Sequence, residues 1–186
     1  MNLWLRLLWY LVTIWRRPAI GVPDGVSRLN FRVLPTDLDT SAHLNNGRYL
    51  TLMDLGRLDI VVRSGLWRAV LRHKWTPVAS AIKIRFRREL RLFQRFEIAT
   101  RIVAWDATSV VMEQQFIFKD GPRSEQIAAH ALFKGGLYDR ALSRFVPIER
   151  LMSEVGFQAE SPPLTPEVDA FLKADDELKR AGQRPD

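Results

Sequence analysis

One stretch constrains the fold of this chain more than any other. Over residues 46–64 apolar side chains recur at helical spacing, and from Pro77 onward the period changes to that of strands. Tyr49, Leu52, Met53, Gly56 and Ile60 fall on one face of the predicted helix. Asn45 or Asn46 stands where an N-cap is wanted, and Gly65 where a left-handed C-terminal residue is wanted. Gly56 lowers the helix propensity by ~1 kcal/mol, and close approach of a sheet to that stripe supplies a reason for it. After a short helix or irregular turn over residues 66–75, Ile82, Ile84 and Phe86 alternate with Lys83, Arg85 and Arg87. That alternation predicts a half-buried antiparallel strand with one basic face. Residues 96–103 and 109–118 form further strands around a turn at 105–108, and a turn at 119–122 leads into a strand over 124–137. Connections this short make sequence neighbours sheet neighbours. The class is α+β, one helix covered on one face by an antiparallel sheet.

The flanks divide the rest. Residues 29–34 read as a first strand, ended by Pro35. Residues 1–17 are mostly apolar, with Trp4, Trp9 and Trp15, and as a helix they align Arg6, Tyr10, Thr13 and Arg17 in one polar stripe. The apolar run of this segment is roughly 20 Å long, short of the ~30 Å hydrocarbon core, so it is read as an in-plane interfacial anchor. The competing readings are a signal peptide, against which Arg16-Arg17-Pro18 stands in place of a small-residue cleavage site, and a terminal helix packed on protein. Residues 18–27 hold two prolines and two glycines and read as a linker; residues 28–158 form the domain. Within the domain, residues 146–155 make a short closing helix with Pro147 in its first turn. Residues 159–186 are a proline-containing linker and a final amphipathic helix, capped by Thr165, with Val168, Phe171, Leu172 and Leu178 on one side.

Composition narrows the chemistry. A chain of 186 residues with 47% hydrophobic and 26% charged residues suits one globular domain with extensions. No cysteine is present, which excludes a thiolate nucleophile and any Cys-ligated metal. The three histidines (His43, His73, His130) lack metal-site spacing, so no metal is expected. A net charge of +7 favours anionic partners, yet no nucleic-acid-binding signature accompanies it.

The informative motif is Thr36-Asp37-Leu38-Asp39-Thr40-Ser41-Ala42-His43-Leu44-Asn45-Asn46-Gly47-Arg48-Tyr49. An Asp-x-x-x-His-x-Asn-Asn run abutting a helix, followed by Tyr49-Leu50 and then by Asp54 and Arg57, resembles the hotdog-fold thioesterases. The branch it resembles contains 4-hydroxybenzoyl-CoA thioesterase and the acyl-carrier-protein thioesterases. The likeness covers roughly residues 28–155. It implies a hotdog domain, an antiparallel sheet wrapped around the long helix, and at least a homodimer with active sites between protomers. It also implies hydrolysis of an acyl-CoA or acyl-carrier-protein thioester, with coenzyme A or carrier as part of the substrate and no separate cofactor.

The residues allow that chemistry on physical grounds. Without cysteine or a Gly-x-Ser-x-Gly elbow, a carboxylate is the available attacker, acting as general base on water or as direct nucleophile. Asp39 lies just ahead of a helix start whose free N–H groups, near Gly47, can hold an oxyanion. A lone loop aspartate would also make an Asx-turn. A carboxylate turned from every cleft and tied to neighbouring amides would count against hydrolysis. Asp37 is read as structural, bonding loop amides. Ser41 stands where the carrier-protein thioesterases commonly have asparagine, a departure that removes a transferred role there. His43 either bonds the thioester carbonyl or is a solvent-touching loop residue. Asn45 and Asn46 cap the helix first; Asn45 is also a candidate polar aid, and Asn46, Gly47 and Tyr49 are candidate substrate contacts. Asp54, on the helix, is the rival catalytic acid or the ion-pair partner of Arg57. The cluster Lys83, Arg85, Arg87, Arg88, Arg91 and Arg95 meets substrate phosphates or is a solvated strand face.

The leading expectation is a thioesterase for apolar acyl chains, cytoplasmic and peripheral on a membrane. The alternative is a hotdog protein that binds acyl groups or partners without hydrolysing them. A hydratase is a third option, but no acid–histidine pairing of that kind is evident.

Overall fold

The computed structural model describes residues 3–182; the side chains of Leu3 and Trp15 also lie outside the described part. Five antiparallel strands run in the order β1-β3-β4-β5-β2: β1 (Ser27–Arg32), β2 (Thr76–Phe86), β3 (Arg95–Trp105), β4 (Val110–Phe118) and β5 (Ile127–Asp139). The short β6 (Arg144–Phe145) pairs with β5. The helices are α1 (Leu3–Thr13), α2 (Asn46–Arg63), α3 (Trp67–His73), α4 (Ile148–Glu154) and α5 (Pro166–Ala181). The neighbours β3–β4–β5 follow the order of the chain, whereas β2 crosses to the far side of β5.

Helix α2 lies against the sheet as its periodicity requires. Tyr49, Leu52, Met53, Leu55, Gly56 and Ile60 are buried, and the first four pack in one core with Leu29, Phe96, Ile98 and Phe116 from the sheet. Gly56 is explained by this contact. A Cβ there would meet Thr100 Oγ1 well inside van der Waals distance and Gln114 Nε2 at 2.9 Å. Gln114 is fully buried and donates to the Met53 carbonyl at 2.9 Å and to Thr100 Oγ1 at 3.0 Å, so the sheet is hydrogen-bonded to the helix backbone at that point.

Five expectations change. Strand β1 begins at Ser27, inside the stretch read as linker. The linker is a strap rather than a free connection: Ile20 is buried, its N–H donates to the Arg63 carbonyl, and Arg63 Nε donates to the Pro18 carbonyl. Strand β2 is an edge strand whose apolar row stays partly open: Ile84 packs against the core and the Phe86 ring meets Tyr49 at 5.0 Å, but Ile82 is 38% and Phe86 42% exposed. In α5, Val168 and Phe171 pack on Ala104, Val111 and Leu132, but Leu178, near the far end of the helix, is 73% exposed.

Helix α1 holds the largest difference. It packs on the domain, and its polar stripe faces inward. Arg6 is buried in an ion pair with Asp37, and Tyr10 Oη donates to Asp59 at 3.0 Å beneath it. Asp59 also accepts from Ser27 at 2.6 Å and Arg63 at 2.9 Å. The apolar side of α1 is therefore the outer side, with Trp4 72% and Trp9 70% exposed beside Leu5, Leu8, Leu11 and Val12. Among the described residues no helix is long and apolar enough to cross a membrane.

Candidate active site

The segment between β1 and α2 is a tight, internally bonded turn. A 3-10 turn, Pro35–Asp37, ends in the buried Asp37, whose carboxylate accepts from Leu34 N–H at 2.9 Å and from Arg6. Asp37 is structural, as its position in the loop suggests. The chain then doubles back: Asp39 N–H donates to the His43 carbonyl at 2.9 Å, and Ala42, at φ 60°, donates to the Asp39 carbonyl at 3.1 Å. Asp39 Oδ1 accepts from Ser41 N–H at 2.9 Å and from His43 N–H at 3.3 Å. The Asx-turn reading is thus correct for one oxygen. Both bonds fall on Oδ1 of this half-buried carboxylate. Leu44 and Asn45 tie the far side of the loop to the Leu90 and Asp37 carbonyls.

His43 gains a partner for which no local pattern exists. Its Nε2 lies 2.9 Å from Glu89 Oε2, on the segment after β2, and both side chains are about one-third exposed. Arg91 grips the same carboxylate and holds it below the usual carboxylate range through its hydrogen bond. An acid–histidine–arginine cluster therefore flanks the Asp39 turn. A single carboxylate and arginine separated from His43 by more than forty positions carry no local pattern, so periodicity and motif reading pass over them.

Asn45 is the N-cap of α2, and its Oδ1 accepts from Gly47 N–H at 2.8 Å. The Gly47 amide, named above as an oxyanion donor, is consequently occupied by the cap, while among the described residues nothing accepts from Asn46 N–H. Asn45, Asn46 and Gly47 are exposed. Tyr49 is not: its ring is buried between Phe86 and Phe116, burial pushes its hydroxyl up to about 12, and core packing accounts for it without any substrate.

Asp54 is not brought to the turn. It sits on the exposed side of α2, roughly 12 Å along the axis from Asn46 at 1.5 Å per residue, ion-paired with Arg57. Arg57 also donates to Gln114 Oε1 at 2.8 Å and covers the Phe133 ring at 4.1 Å; burial lowers its pKa. Of the basic cluster, Lys83, Arg85, Arg87 and Arg95 are exposed, Arg88 caps the Ile127 carbonyl, and Arg91 is engaged with Glu89.

An apolar cavity of about 90 Å³ lies at the other end of α2, between Ile60, Leu66, Ile102, Trp105, Leu151 and Phe157. Asp39 lines neither this cavity nor the groove beside α1.

A curled antiparallel sheet holding one long helix, with an acidic turn feeding that helix, defines the hotdog class of acyl-thioester proteins. Within that class the chain belongs to the thioesterase-like superfamily, whose family model matches residues 33–172. It is 46% identical over 88 residues to Protein THEM6 of Danio rerio, covering 47% of this chain and 44% of that protein. It is 36% identical over 119 residues to Protein THEM6 of Xenopus laevis, covering 63% and 58%. The chain thus spans about half the length of these relatives. Its fold is similar to that of YbaW, a probable thioesterase of Escherichia coli, at a TM-score of 0.62 with 23% identity over 69% of this chain and 95% of that one. A putative oleoyl thioesterase from Lactobacillus plantarum superposes at 0.64 with 18% identity, covering 80% and 57%.

Proposed function

We propose that the chain hydrolyses an acyl-CoA or acyl-carrier-protein thioester carrying an apolar chain, with Asp39 as the reacting carboxylate. The observation that carries this is that Oδ1 of the half-buried Asp39 is held by two backbone amides in the turn that feeds the N-terminus of α2. A pinned carboxylate is pre-aimed, so little reorganisation accompanies reaction. Oδ2 either takes a proton from water as it attacks the carbonyl carbon, or attacks that carbon itself to give an anhydride that water then opens. In both routes the thiolate leaves. The N-terminal amides of α2, with Asn46 N–H the first uncommitted one, face the developing oxyanion, and His43 is held in one orientation by Glu89.

Two further parts belong to this reading. A second copy pairs on the open β2 edge, which removes the outer edge of an eleven-residue strand from solvent. The outward apolar side of α1 rests on a membrane surface, where Trp and Leu belong. A non-catalytic acyl-binding role is favoured by two observations that count against hydrolysis: Asp39 is tied to two neighbouring amides, and it lines neither the apolar cavity nor the α1 groove.

The test is thiol release from acyl-CoAs of graded chain length by the purified chain. Asp39→Asn should lower kcat by at least about 10²-fold, the usual contribution of a general base, while Asp54→Asn leaves it unchanged. Loss with Asp54→Asn alone would move the reaction to the helix. Absence of turnover on every CoA- and carrier-linked chain would establish the binding role instead.

A further inference from the structure

The second cavity is a groove of about 260 Å³ between α1 and the edge strand β1. Its walls carry Arg6, Arg17 and Arg32 together with Trp9, Tyr10 and Phe31. Arg17 is half-buried and Arg32 exposed. Arg6 is buried, with Nη2 spent on Asp37 and on the Arg32 carbonyl at 3.2 Å. Its Nη1 is closed off from solvent and has no acceptor among the described residues. A buried guanidinium N–H without an acceptor is costly, and because Nη1 is closed off, Arg6 offers the groove positive charge rather than a direct bond to an anion. Among the described residues, the ion pair to Asp37 balances Arg6, and Arg17 and Arg32 have no carboxylate partner.

The surroundings say where that anion comes from. The groove opens beside the face of α1 that carries Trp4, Leu5, Leu8, Trp9 and Val12 outward, and the stripe that would otherwise meet water is already committed to the protein. A helix too short to span, apolar outside and arginine-lined along its flank, matches the boundary between acyl chains and phosphates. We infer that the α1–β1 groove seats the phosphate of an anionic phospholipid, between Arg17 and Arg32 and over Arg6, while Trp4 and Trp9 enter the bilayer beside it. This deepens the membrane contact proposed above and rests on it, but it does not depend on the hydrolase reading. Since Arg6 braces Asp37, two residues from Asp39, it also fixes the bilayer at one side of the catalytic turn.

Flotation of the full chain with neutral phosphatidylcholine vesicles and with vesicles containing phosphatidylserine tests the inference. The wild type should partition more strongly to the serine-containing vesicles, and 1 M salt should erase the excess. In Arg17→Gln/Arg32→Gln the partition coefficient on those vesicles should fall about 30-fold, at roughly a fivefold factor per charge, while binding to neutral vesicles stays as in the wild type. Trp4→Ser/Trp9→Ser should lose binding to both. Arg6 is left in place so that the turn is undisturbed. If the double arginine variant keeps its preference for anionic vesicles, the groove is not the headgroup site, although α1 still binds membrane. If the wild type floats with neither vesicle, the membrane contact itself is wrong. If the variant instead raises KM for acyl-CoA without vesicles and keeps its lipid preference, the groove serves the phosphates of the substrate, and the inference is overturned.

Discussion

Replacing Gly56 by alanine tests whether the sheet is held to the central helix as closely as the structure shows. The new methyl would be driven into Thr100 Oγ1 and set 2.9 Å from Gln114 Nε2, both on fully buried side chains. Neither can swing away freely, because Gln114 is bonded to the Met53 carbonyl, to Thr100 and to Arg57. Overpacking in a dense core costs about 1–3 kcal/mol. Displacing Gln114 by enough to clear the methyl also loses one or two buried hydrogen bonds, at about 1 kcal/mol each. Against these stands a gain of ~1 kcal/mol in helix propensity for alanine over glycine. The net is a loss of about 2–3 kcal/mol, read as a lower urea midpoint at unchanged m-value. Adding Thr100→Ala removes the closest contact and should restore about 1 kcal/mol, so the two substitutions are not additive. A Gly56→Ala variant as stable as the wild type, or more so, would refute the close packing and with it the reason for a glycine in the apolar stripe.

Three other outcomes are expected. The carboxyl of Glu113 is held at about 2 by His130 Nε2 at 2.7 Å and Arg101 Nε at 2.6 Å, against an ordinary 4.5. Its lowered pKa stabilises the fold above about pH 4.5 and the benefit disappears as pH falls toward 2, so Glu113→Gln should cost about 1–2 kcal/mol at pH 7, allowing for solvent screening, with the gap closing on acidification in urea titrations. A gap independent of pH would mean the pairing contributes nothing. Arg6→Met strips the buried Asp37 of its cation and should lower stability by about 3 kcal/mol in the same assay, more than any exposed arginine. Phe171→Ala should cost about 3 kcal/mol and Leu178→Ser less than about 0.5, since only the former packs on β3, β4 and β5; equal effects would show that α5 docks along its whole length.

Much of this protein is written in short-range pattern. The span of α2, its Asn45 cap, the close approach at Gly56 and the turn before Ser109 follow from periodicities and side-chain-to-backbone bonds within a few residues, which a chain carries wherever it folds. The same holds for Asp37 and for the Asx-turn at Asp39, which are local hydrogen-bonding problems with local solutions. What the tertiary structure decided is direction and partnership. An amphipathic helix states that it has two faces, not which one meets protein; α1 turned its polar stripe inward because the buried carboxylates of Asp37 and Asp59 lie where Arg6 and Tyr10 can reach them, Arg6 giving Asp37 its cation and Tyr10 adding to the Ser27 and Arg63 partners of Asp59. Glu89 reaches His43, the apolar row of β2 stays partly open and the apolar cavity forms at the far end of α2 only because distant strands meet at particular registers. Such contacts depend on the relative placement of segments far apart in the chain, and no local period encodes that placement.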